Sequence, residues 1–170
     1  MRRAPALFHN AFLLSLGAAS IACRAADPKQ QLTVSGLETY WAIARSAGET
    51  RYLAPVVRFE LRAIGKSTLR TVQASAVFRR QGEGQEWGSA FQQLIVPRKP
   101  LPPGKSLPVL LTSDTHYFTD GPPEGIFGHE QFKDARAEVF LRVGSSIWVK
   151  FGEAAIERRI GSRSVPEELR

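Results

Sequence analysis

The chain has 170 residues and sets 23 Lys and Arg against 16 Asp and Glu, a formal charge of +7. Arg2, Arg3 and Arg24 account for part of this, and the residues after position 25 carry only +4. The remaining basic residues are scattered, which argues against nucleic acid as a partner, and a single cysteine excludes an intrachain disulfide.

Residues 1–25 read as a signal peptide. Met1-Arg2-Arg3 precedes an apolar stretch from Ala11 to Ala22. That stretch is too short for a membrane-spanning helix, which takes about 20 residues. A basic start, a short apolar middle and small residues after it make an export signal. Two processing routes stay open at Cys23. Ala22-Cys23 suits a lipoprotein peptidase, although Ser20 stands where Leu is usual. Cleavage after Ala25 instead puts Cys23 and Ala25 at the two small positions that an ordinary signal peptidase reads. The first route lipidates Cys23 and the second removes it. Neither leaves a free thiol, as suits an oxidising compartment. The protein is therefore expected to be exported, and either periplasmic or anchored to the membrane by lipid at Cys23.

Residues 26–158 read as a single all-β domain, with a first strand over Leu37 to Arg45. In "VVRFELRAI", Val57, Phe59, Leu61 and Ala63 share one face, and Arg58, Glu60 and Arg62 the other. "TVQASAVFRR" repeats the pattern with Val72, Ala74, Ala76 and Phe78. Such alternation marks half-buried strands of an antiparallel sheet. "GKSTLR" between them carries turn chemistry, so a hairpin pairing Ala63 with Val72 and Phe59 with Ala76 is expected. Further strands are expected at Glu86 to Val96, Leu107 to Thr112, Ala137 to Val143 and Ile147 to Phe151. About seven strands with Gly- and Pro-containing links predict an immunoglobulin-like antiparallel β-sandwich. One short helix is expected in the loop "DGPPEGIFGHEQF", started by Pro122 and Pro123 and capped by Asp120. Residues 159–170 are charged and aperiodic, and read as a flexible tail.

The succession "VVRFELRAIGKSTLRTVQASAVFRRQGEG" and then "LPPGKSLPVLL" resembles the FxLYD-type family of small bacterial envelope domains. The likeness spans Val56 to Leu111. It departs from the family at Ala63-Ile64, where Asn is usual, and "AVFRR" is a loose form of the family's motif. The resemblance implies an immunoglobulin-like sandwich on an exported or membrane-anchored protein, without catalytic machinery.

Enzyme chemistry finds little footing in these residues. "HEQFK" begins like a zinc-binding HExxH, but Lys133 occupies the place of the second His. There is no GxSxG, and "PPGKS" lacks the first Gly of a phosphate loop. "VPRKPLPPGKSLP" reads as a Pro-rich connection between strands rather than a polyproline ligand. No cofactor and no catalytic residue is expected. The competing reading is a metal-dependent or hydrolytic enzyme built on His116, His129 and nearby carboxylates such as Asp114, Glu124 and Glu130.

"RAEVFLRVGSSIWVKFG" carries the candidate binding surface. A two-residue loop at Gly144-Ser145 would pair Val143 with Ser146 and set the apolar faces opposite one another. A three-residue loop pairs Val143 with Ile147, Leu141 with Val149 and Val139 with Phe151, burying one apolar face. Register follows the face that must be buried, so the second arrangement is expected. It leaves Arg142 opposite Trp148 and Phe140 opposite Lys150 on the outer face. Exposed cation–aromatic pairs contribute about 0.5–1 kcal/mol each. They serve either to stabilise the hairpin or, since Trp and Arg dominate interface hot spots, to bind a partner. The reading that results is an exported, envelope-associated, non-catalytic binding or scaffolding sandwich. Its partner is expected to be another envelope protein or a membrane-surface component, with membrane contact only through a lipid at Cys23. A lipid-carrying accessory protein is the third reading.

Overall fold

Val57, Phe59, Leu61 and Ala63 lie buried along one side of their strand, and Val72, Ala74, Ala76 and Phe78 do the same along theirs. The same alternation builds the whole of the computed structural model, which describes residues 27–162. Among these residues eight strands are formed: β1 (Leu32–Ala47), β2 (Thr50–Ala63), β3 (Val72–Arg80), β4 (Gly88–Ile95), β5 (Ser106–Thr112), β6 (Tyr117–Thr119), β7 (Ala135–Val143) and β8 (Val149–Ala155). The first sheet runs β1-β2-β5, with β6 pairing the other end of β2, and the second runs β4-β3-β7-β8. All the strand pairs are antiparallel. Strands one, two and five in one layer against three and seven in the other is the partition of an immunoglobulin-like sandwich.

The expected hairpin between β2 and β3 does not form. Ala63 pairs with Leu32, and Leu61 with Val34 on one side and Leu107 on the other. Ala74 and Ala76 pair instead with Leu141 and Val139. The reason lies in the connection. Leu69 is buried and exchanges two backbone hydrogen bonds of 2.9 Å with Leu101. This apolar residue carries the chain across to the second sheet, where the polar turn residues alone would have allowed it to fold back. Large and small side chains therefore meet in one core cluster, with Phe59, Leu61 and Trp41 from the first sheet and Ala74, Ala76 and Ala137 from the second. Each large side chain so buried contributes about 1.5–3 kcal/mol.

The partner of β2 is β1, through a tight turn at Gly48-Glu49 with Ala47 facing Thr50. Gly48 has φ +60°, the left-handed conformation that the first central position of a two-residue hairpin demands. A bulge between Ser35 and Glu38 then resets which side chains of β1 face inward. It turns Trp41 into the core, where it is fully buried. Around it, at centroid distances of 5.3–6.4 Å, stand Phe132, Tyr117, Trp87 and Phe127. These come from β6 and the segments beside β4, β6 and β7, so one tryptophan ties the loops at this end of the sandwich together. Among the described residues the Trp41 Nε1–H has no hydrogen-bond partner.

The expected loop helix is a 3₁₀ turn at Pro123–Gly128, anchored by buried Ile126. Asp120 does not cap it. The position before the turn is Pro122, and Asp120 accepts a 2.6 Å hydrogen bond from the Thr50 hydroxyl. The start of the expected flexible tail is also pinned. Trp41 N–H donates to Arg159 O at 2.9 Å, and Gly161 N–H donates to Trp41 O at 2.8 Å. Tyr40 points outward from the first sheet, yet is only 3% exposed. The Arg159 guanidinium lies 4.8 Å from its ring centre, and its hydroxyl donates to Ser162 O at 2.7 Å. The chain gains these contacts because β1 is an edge strand whose free backbone groups need partners.

Candidate functional site

The outer face of the second sheet is a grid set by strand register. One row holds Gln93, Gln73 and Arg142 from β4, β3 and β7, and Trp148 lies beyond Arg142 just before β8. The next holds Phe91, Ser75, Phe140 and Lys150, and the third Ser89, Val77, Glu138 and Glu153. The β7–β8 register follows from the buried-face argument: Leu141 pairs with Val149 and Phe140 with Lys150.

The turn itself differs from both simple loops. Ser146 N–H donates to Val143 O at 3.0 Å, closing a tight turn whose first residue, Gly144, has φ +55°. The Ser146 hydroxyl oxygen then takes the Val143 N–H at 3.1 Å. That side chain replaces a ladder bond, and the strand gains one residue before pairing resumes. Ile147 is the residue displaced. It does not join the core face as expected but is 78% exposed. A second irregularity follows Lys150, so that Val139 pairs with Gly152 and not with Phe151. A Cβ at Gly152 would lie 3.1 Å from Leu37, so the residue without a side chain fits there.

Arg142, Trp148, Phe140 and Lys150 are thus gathered on one face, but they are not equally engaged. The Arg142 guanidinium carbon lies 4.8 Å from the Trp148 ring centre. Arg142 Nε donates to Gln73 Oε1 at 2.8 Å, and its Nη2 bonds the same oxygen. Gln73 in turn donates to Gln93 at 2.9 Å. Lys150 turns away from Phe140. Its ammonium donates to Glu138 at 2.7 Å and also to Glu153. Arg79 completes the pairing of Glu138, and Arg136 that of Glu153. The hydrogen bond from Lys150 holds the Glu138 carboxyl below its ordinary range, helped by Arg79. The same bond raises the Lys150 ammonium. The face therefore divides into a charged half, whose groups pair with one another, and an aromatic half. Among the described residues, Arg142 has no carboxylate partner.

Sequence reasoning missed Phe91. It is 64% exposed, and its ring meets that of Trp148 edge-on at 6.3 Å. A signal was present: Phe91 alternates with Ser89 and Gln93 on the polar side of "GSAFQQLI".

His116 and His129 are not brought to a common purpose. His116 packs edge-on against Tyr52 at 5.0 Å. His129 Nδ1 accepts from Gln131 N–H at 3.2 Å beside a depression of about 280 Å³ lined by Arg80, Tyr117 and Phe132. Asp114 is used by the backbone of Ser89. Among the described residues no three His, Cys, Asp or Glu side chains converge as metal ligands. Cys23 and the signal peptide lie outside the described residues.

The fold defines an all-β sandwich of two antiparallel sheets. No protein-family model matches this chain, and no curated protein does. Solved structures to which the chain is similar include two of low identity. One is an X-ray structure of a Northeast Structural Genomics Consortium target, with TM-score 0.42 and 10% identity over 76% of this chain and 89% of that one. The other is a putative ApaA protein from Bordetella pertussis, with TM-score 0.38 and 15% identity over 74% of this chain and 91% of that one.

Proposed function

We propose that this chain is an exported, non-catalytic binding module of the cell envelope that holds a partner protein against the outer face of its second sheet. The observation that carries this reading is the exposed Trp148–Phe91 contact, with Arg142 stacked beneath Trp148. Aromatic side chains left in water beside an uncompensated guanidinium suit a partner that offers an apolar side chain next to a carboxylate. The signal-like residues 1–25 and the likeness of Val56 to Leu111 to FxLYD-type domains support the envelope setting. A lipid-carrying role has less support, because Trp41, Phe59, Phe78 and Leu141 fill the space between the sheets and leave themselves almost no exposure.

The test is affinity capture of the processed protein from native envelopes, comparing wild type with Trp148→Ala and Phe140→Ala. Loss of one defined partner in both variants, at nearly unchanged melting temperature, is the expected result. Parallel loss of folding and capture would overturn the binding surface. Detergent-phase partitioning of wild type against Cys23→Ser tests the anchor: a shift of the variant to the aqueous phase marks lipidation, and an aqueous wild type marks removal.

A further inference from the structure

The sandwich has four sheet edges, and three of them are guarded. β1 is bonded at Trp41 by Arg159 and Gly161. β5 carries Pro108, which has no N–H to offer an incoming strand. β8 carries Lys150 and Glu153 and is broken by the irregularity after Lys150. Among the described residues the edge of β4 is guarded only at its two ends, by Asp114 at Ser89 and by a register shift between Gln93 and Ile95, and its middle is open. Its sequence, "GSAFQQLI", contains no charge and no proline, and its pairing with β3 is regular from Gly88 to Gln93.

The direction of its backbone groups can be read from its start. Ser89 O accepts from Asp114 N–H at 2.9 Å, and Ser89 N–H donates to Asp114 Oδ1 at 2.8 Å. Ser89 therefore bonds away from β3. Backbone direction alternates along a regular strand, so the N–H and C=O of Phe91 and Gln93 also point away from β3. No bond from another element reaches them among the described residues. Phe91, Gln92 and Gln93 are all exposed. Gln92 lies on the side that would face the first sheet, opposite Ala74. It is polar and exposed there because β4 overhangs the edge of that sheet.

We infer that the free edge of β4 is a self-association site, at which a second copy of this chain adds its own β4 antiparallel about a twofold axis at Gln92. The register follows from the free groups. Phe91 of each copy exchanges both backbone bonds with Gln93 of the other, and the two Gln92 residues face one another without bonds between their backbones. A neutral strand meets its own copy without repulsion, whereas a strand carrying Lys or Glu at this point would not. The symmetric arrangement closes on itself, so it ends at two chains. It also joins the two second sheets into one, with both Phe91–Trp148 clusters on the same continuous outer face.

The test uses the purified, processed protein alone, so its outcome is independent of whether an envelope partner is ever captured. Sedimentation of wild type should show a concentration-dependent shift from one chain to two. Gln92→Lys and Gln92→Glu each place like charges directly opposite at the axis while altering only an exposed position of the single chain. Each should weaken the dimer about tenfold or more, and an equimolar mixture of the two should restore it as a mixed dimer. Amide exchange provides a second readout without any substitution. The N–H groups of Phe91 and Gln93 should slow as concentration rises. A wild type that stays a single chain at its solubility limit would overturn the inference. So would a dimer that both charge variants leave intact, or equal exchange of those two amides at low and high concentration.

Discussion

Trp148 and Phe91 belong to opposite margins of the second sheet, yet their rings meet at 6.3 Å. β3 and β7 lie between their strands. The two side chains close over small or flat residues, with Ser75 beside Phe91 and the stacked Arg142 and Gln73 beside Trp148. The contact bridges four strands on the solvent side, where it adds little to the core.

That position sets the expected energetics of the surface. Trp148→Ala should lower unfolding free energy by about 1 kcal/mol or less. A double-mutant cycle with Arg142→Ala should return a coupling of about 0.5–1 kcal/mol, the range of an exposed cation–π pair. Urea titration of the four proteins measures it. A coupling near zero would show that the stacked geometry stores no energy.

Trp41 should behave in the opposite way. It is fully buried and holds four aromatic rings from the surrounding loops. Trp41→Ala should cost about 3–5 kcal/mol, as large-to-small changes in cores do. The contrast between two tryptophans in one denaturation series tests the assignment of core and surface.

The docked segment after β8 has its own signature. A Cβ at Gly161 would lie 2.5 Å from Tyr40 Cδ2 and 2.8 Å from its Cε2. Gly161→Ala should therefore push the segment off Tyr40 and cost about 1–3 kcal/mol, the range of overpacking. Tyr40→Ala in the same background should relieve the clash. Simple additivity of the two changes would show that the segment does not rest on this ring.

Acid stability should depend on Glu138. Its hydrogen bond from Lys150, with that from Arg79, places its folded pKa below the unfolded value of about 4.3. The stabilisation is then complete above the unfolded pKa and is lost as pH falls through the lower folded value. Glu138→Gln should lower stability at neutral pH and flatten its fall on the acid side. A variant with the same acid limb as wild type would remove Glu138 from the account.

Several features of the fold were legible because they depend on residues close in sequence. Alternation in "VVRFELRAI" and "TVQASAVFRR" identifies which side chains are buried, since a strand turns its side chains out every second residue. The need to bury one apolar face likewise determined that Leu141 meets Val149, and so placed Arg142 beside Trp148. Pairing between strands was not legible in the same way. A buried face looks the same whether its strand bonds to the next one or lies across the core from it. Leu69 decides between these by being drawn into the core at Leu101, a residue distant in sequence. Tertiary structure alone likewise showed Phe91 meeting Trp148 from the far edge, Arg159 and Gly161 bonded to Trp41, and the β4 edge left open. Each is a meeting of segments whose approach depends on the path of the whole chain, and local periodicity carries no record of that path.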